Sequence, residues 1–70
     1  MEEIDLIISS ITEYIEILIC IAIDKDLERE KVVLDALKEQ VINATTYEEL
    51  EVLKRSVKEI DDRKIGRAHV

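Results

Sequence analysis

Apolar residues recur along the first third of the chain at alternating steps of four and three. Ile4, Ile8, Ile11, Ile15, Leu18 and Ala22 make one continuous row. That spacing is the period of an α-helix with a single apolar seam. Glu2, Asp5, Ser9, Thr12 and Glu16 repeat at the same spacing and form a polar stripe expected to face water. Glu2, Glu3 and Asp5 fall in the first turn, where negative charge suits the helix dipole. The pattern predicts a helix over residues 2–23. A strand competes over 13–23, because Tyr14, Glu16, Leu18 and Cys20 alternate with isoleucines and β-branched residues favour strands. The longer seam outweighs it.

A second helix is predicted over 26–44, with Leu27, Leu34, Leu37, Val41 and Ala44 as its seam and Glu30 where another apolar residue is expected. Asp24 or Asp26 could cap its start. No Gly or Pro separates the first two segments, so they read either as two helices or as one long one. The third segment, 46–63, has the clearest start. Thr46 is followed three residues later by Glu49, the capping-box pattern, and Asn43-Ala44-Thr45 supplies a short turn before it. Leu50, Leu53, Val57 and Ile60 continue its seam. Glu51 with Arg55, and Glu59 with Arg63, stand four apart in the acid-before-base order that adds about 0.2–0.5 kcal/mol per pair on an exposed helix. The expected fold is all-α: a small three-helix bundle, or a helical hairpin with one long arm, in a single domain over 1–64.

Residues 17–23 are apolar on every side, and such a helix must be surrounded. In a chain this short two other helices cover about two faces. The simpler reading places the run at the crowded centre of the bundle. The functional reading makes Ile17, Leu18, Ile19, Ile21 and Ile23 a contact surface for another protein or a second copy. Cys20 lies inside the run and is expected to be a small buried hydrophobe, since residues 1–24 hold no base or cation to activate a thiol.

The chain ends Ile65-Gly66-Arg67-Ala68-His69-Val70. This resembles one reading frame of a common short-read sequencing adapter, which encodes these six residues and then a stop codon; the two bases before them fit the codon of Lys64. Residues 65–70 are therefore read as an adapter-derived tail, with the natural sequence interrupted near Arg63 and a metagenomic source expected. On that reading His69 drops out of any chemistry.

Charge and composition narrow the function. At 70 residues and a formal charge of −7, the chain is one small acidic domain that folds without a disulfide framework, because Cys20 is its single cysteine. Residues 1–24 carry six acidic groups and no basic one. That excludes a signal peptide's basic n-region and disfavours direct binding to nucleic acid or anionic lipid. The apolar run alone is short of the ~20 residues of a membrane span, so a cytoplasmic location is the default. Asp24, Asp26, Glu28, Glu30 and Asp35 fall at calcium-loop positions, but Arg29 occupies the place that wants Gly. Ser9, Ser10 and Ser56 have no histidine outside the tail, and no Gly-rich phosphate loop is present. Lys54, Arg55 and Lys58 alternate with Glu51, Glu59 and Asp61 and read as a solvated face. No catalytic, cofactor or metal site is expected. The expectation is a non-enzymatic interaction protein, of the kind that includes small inhibitors such as antitoxins or anti-CRISPRs, acting through Glu2, Asp5, Glu13 and Glu16 or through the apolar run. A structural homo-oligomer and a peripheral membrane protein are the alternatives.

Overall fold

The structure is a computed structural model that describes residues 3–66. Three helices form an all-α bundle: α1 (Glu3–Asp24), α2 (Glu28–Asn43) and α3 (Tyr47–Ile60), the last continued by one π-helical turn (Asp61–Ile65). At 1.5 Å per residue, the 22 residues of α1 span about 33 Å. That helix accounts for most of the longest dimension of a body 36 × 24 × 17 Å. It packs chiefly on α2, and more loosely on α3 and the π-turn.

The seams meet as the spacing requires. Ile11, Ile15, Leu18 and Ala22 of α1 are buried together with Leu34 and Val41 of α2, Ala44, and Leu50 and Val57 of α3. Ile4 and Ile8, the first members of the α1 seam, are partly buried against this core. The polar stripe departs from expectation at two places. Thr12 is half-buried, and its Oγ1 is enclosed without a hydrogen-bond partner among the described residues. Glu16 stays exposed but accepts a 2.9 Å hydrogen bond from Lys38 Nζ of α2. Asp5 and Ser9 do face water.

The first two helices are separate, and the break has a local cause. Carried on as a helix, α1 would bring Lys25, Asp26 and Arg29 onto its apolar seam and turn Leu27 outward. The chain reverses instead. Asp26 adopts φ +63°, the left-handed region. The Leu27 N–H donates to Ala22 O at 2.7 Å and the Asp26 N–H to Ile23 O at 3.1 Å. These two bonds are the Schellman closure of a helix end, with an aspartate where glycine is usual. Leu27 then packs against the core. Neither Asp24 nor Asp26 caps α2: Leu27 is the N-cap residue and gives no side-chain hydrogen bond.

The start of α3 is as the sequence predicts. Thr46 Oγ1 accepts from the Glu49 N–H at 3.2 Å, and Glu49 Oε1 accepts from the backbone N–H groups of Thr46 and Thr45 at 3.2 and 3.1 Å. The far end differs. The α-helix stops at Ile60 and the wider π-turn runs on to Ile65. In an unbroken α-helix Lys64 would take the next inward place; the extra residue of a π-turn hands that place to Ile65. Ile65 is accordingly 3% exposed. Gly66, at φ +71°, closes the turn by donating its N–H to Asp61 O at 2.7 Å. Two side chains tie the turn to α1 and the residue that follows it. Tyr14 OH donates to Asp61 Oδ2 at 2.5 Å, and Lys25 Nζ donates to Ile65 O at 3.0 Å. The packed unit thus includes Ile65 and Gly66, the first two residues of the tail inferred from the sequence; residues 67–70, His69 among them, lie outside the described residues.

Two outcomes follow from these helix ends. Replacing Asp26 by Gly relieves a left-handed side chain worth about 1–2 kcal/mol while adding about 0.4–1 kcal/mol of unfolded-chain entropy. Urea denaturation should therefore show Asp26→Gly more stable by about 0.5–1 kcal/mol, and Asp26→Val less stable than the parent. At Glu49, the Thr45 backbone N–H, the Thr46 hydroxyl and the Thr45 hydroxyl hold the carboxyl below its ordinary value of 4.5. A folded carboxyl lowered in this way stabilises the protein above that value and loses its contribution as pH falls through the lowered one. The melting temperature of the parent should drop below about pH 4.5, and Glu49→Gln should flatten that part of the profile.

Candidate functional site

The side chains that the sequence singles out on α1 fall into three groups. Leu18 is fully buried and belongs to the core, so it is withdrawn as a contact residue. Ile19 and Ile21 are half-buried against the core. Ile17 and Ile23 are exposed at 52% and 58%. Cys20 is exposed as well, contrary to the buried hydrophobe expected. The reason is angular. Cys20 lies two residues past Leu18, about 200° around the helix, which turns it away from the seam. Among the acidic candidates, Asp5 and Glu13 are exposed with no ion pair among the described residues, Glu16 is engaged by Lys38, and Glu2 lies outside the described residues.

One face of α1 is therefore left open. Glu3, Leu6, Ser10, Glu13, Ile17 and Cys20 follow one another at steps of three and four along the side opposite the seam, and all six are exposed. Leu6 and Ile17 are each more than half exposed. An isoleucine or leucine left in water forgoes about 1.5–3 kcal/mol of burial. Two apolar side chains with Glu13 between them and Glu3 beyond Leu6 suit a partner that brings both apolar and basic groups.

A second feature does not stand out in the sequence. Between α1 and α3 lies a groove of about 420 Å³. Ile7, Ile11 and Leu50 form its floor, and Tyr47 stands at one end. Lys54, Arg55 and Lys58 line its rim with a single acid, Glu51. A smaller hollow of about 240 Å³ shares Ile7, Ile11 and Lys54 and extends the groove toward Tyr14. The i,i+4 pairs expected to neutralise this side of α3 do not form. Neither Glu51–Arg55 nor Glu59–Arg63 is within ion-pair distance; the ion pairs among the described residues are Lys31–Asp35 and Lys38–Glu16. The signal is present as the stripe Tyr47, Glu51, Lys54, Lys58, spaced four, three and four. Alternating charge in the linear sequence conceals it.

A cleft of about 620 Å³ between α2 and α3 has the opposite character, lined by Glu39, Glu48, Glu49 and Val52. Of the calcium-loop positions, Glu28, Glu30 and Asp35 lie in α2, where a helix spreads them around its circumference rather than around an ion. Among the described residues no group of three or more His, Cys, Asp or Glu is placed to hold a metal ion. By length and composition α1 as a whole also suffices for a membrane span, with an 18-residue window of mean hydropathy 2.1, although the same holds for core helices of water-soluble proteins. Comparison with family models, curated proteins and solved structures finds no match to this chain.

Paired substitutions on neighbouring residues separate the two sides of α1. Leu18→Ala opens a cavity at the centre of the core and should cost about 2–5 kcal/mol, enough to unfold much of a domain this small. In protein dilute enough to be monomeric, Ile17→Ser should leave the helical circular dichroism unchanged and the unfolding free energy within about 0.5 kcal/mol of the parent.

Proposed function

We propose that this chain is a non-enzymatic protein–protein interaction module that engages its partner through the outer face of α1. The observation that carries this reading is the coincidence on one rigid helix of exposed Leu6, Ile17 and Cys20 with the carboxylates of Glu3 and Glu13, which form no ion pair among the described residues. The helix is held by its opposite side in the core, so the face is preformed and its presentation costs no folding. Apolar side chains supply affinity. Carboxylates supply orientation and attraction to a basic partner. An inhibitor of a basic or nucleic-acid-binding protein fits this chemistry, in keeping with six acids and no base over residues 1–24.

A cationic amphipathic helical peptide is a suitable probe. Titration followed by amide chemical shifts should perturb Leu6, Glu13, Ile17 and Cys20. The affinity should fall as salt rises from about 0.05 to 0.5 M, because exposed charges are then screened. Glu13→Lys should weaken binding several-fold. Perturbations confined to the Glu39, Glu48 and Glu49 cleft would refute the assignment to α1.

A further inference from the structure

The groove between α1 and α3 is a basic-rimmed, apolar-floored channel on an acidic protein. Its floor of Ile7, Ile11 and Leu50 is continuous with the core, and Tyr47 is half-exposed at its mouth. The three rim cations, Lys54, Arg55 and Lys58, have no ion-pair partner among the described residues. The stripe from Tyr47 to Lys58 extends over 12 residues of α3, about 16 Å of helix. A channel of that length and lining suits an amphipathic helix laid along it, with apolar anchors about three turns apart, near its two ends, and carboxylates beside them. A free carboxylate ligand would satisfy the rim but leave the floor wet. A basic helix would be repelled.

This chain carries such a helix. The outer face of α1 presents Leu6 and Ile17 as anchors, Ser10 as a small residue permitting close approach, and Glu3 and Glu13 as its charges. It adjoins the groove on the same helix, since Ser10 lines the smaller hollow beside Ile7 and Ile11. Two copies related by a two-fold axis can therefore each lay the outer face of α1 into the groove of the other. In such an isologous contact every pairing occurs twice. The charges are complementary: the acidic α1 of one copy meets the Lys54, Arg55 and Lys58 rim of the other. An interface of standard size takes about 800 Å² from each partner, roughly a sixth of the 5028 Å² surface of this chain.

We infer that the α1–α3 groove is the docking site for the α1 outer face of a second copy, giving a two-fold dimer steered by Glu13 and Lys54. This rests on the reading of α1 as a contact face. It adds that self-association covers that face, so that a dimer and a partner complex exclude one another.

Charge exchange between two variants tests the pairing. Solution mass by light scattering over a concentration series should show the parent passing from monomer to dimer. Lys54→Glu and Glu13→Lys each place like charges together twice, and each should raise the concentration needed for dimerisation at least about tenfold. Mixed in equal amounts, the two variants restore opposite charges at both contacts. One contact keeps the native Glu13 and Lys54, and the other joins the two substituted positions with their signs exchanged. A heterodimer should then form where neither variant dimerises alone. A parent monomeric up to about 1 mM, a dimer indifferent to both variants, or a mixture without recovery would each overturn the inference; a dissociation constant weaker than 1 mM corresponds to less than about 4 kcal/mol. The Lys54→Glu variant keeps the α1 outer face intact. If it binds the cationic peptide while the parent does not dimerise, this inference fails and the functional reading stands. If the parent dimerises as expected but Lys54→Glu ignores the peptide, the reverse holds.

Discussion

The fold depends on one row of side chains. Ile11, Ile15, Leu18 and Ala22 run down the inner side of α1 and meet Leu34, Val41, Leu50, Val57 and Ile65, one or two from each other element. A chain of 70 residues buries a modest share of its surface. It has a single cysteine and therefore no disulfide within one chain to compensate. Every other element is positioned by that row. The Schellman turn at Asp26 brings α2 back along it, the capping box at Thr46 begins α3 beside it, and the π-turn rotates Ile65 into its end. The consequence for function is geometric. Because the seam fixes the rotation of α1, it also fixes which residues are presented outward, and these are both apolar and acidic.

Most of the fold could be read from spacing alone, and the reasons for the exceptions are specific. The seams and the capping box are periodic or local signals, and both appear in the structure where the sequence places them. The break between α1 and α2 is also encoded, but in register rather than in punctuation. Lys25, Asp26 and Arg29 occupy the places where the seam would continue, and an aspartate takes the left-handed position usually left to glycine. The π-turn was not legible, because its benefit lies in exchanging Lys64 for Ile65 at a site that α1 and α3 build only together.

The candidate site was half legible for a related reason. Residues 17–23 are apolar throughout, which hid the difference between Leu18, at the centre of the core, and Ile17 and Cys20, on the outside. The seam, continued through the run as Leu18 and Ala22, does separate them; reading the run as one contact surface set that signal aside. The groove rim was obscured by side-chain choice. Glu51 and Arg55 stand four apart and invite a pair, yet they remain apart, and Arg55 joins Lys54 and Lys58 at the groove. Whether such long side chains pair is decided by small energies at an exposed surface, and spacing in the sequence does not resolve them.

The orientation of α1 is the central claim, and Cys20 reports on it without any engineering. Thiol labelling of dilute protein under native conditions, compared with labelling in urea, measures whether that side chain is open in the folded state. An outward-facing Cys20 should react in the native protein within about tenfold of its rate in the unfolded chain, since an exposed side chain needs no opening of the fold to meet the reagent. Protection that is lost only when the protein unfolds would mean that the run is covered within one chain, and would contradict both the assigned core and the contact face.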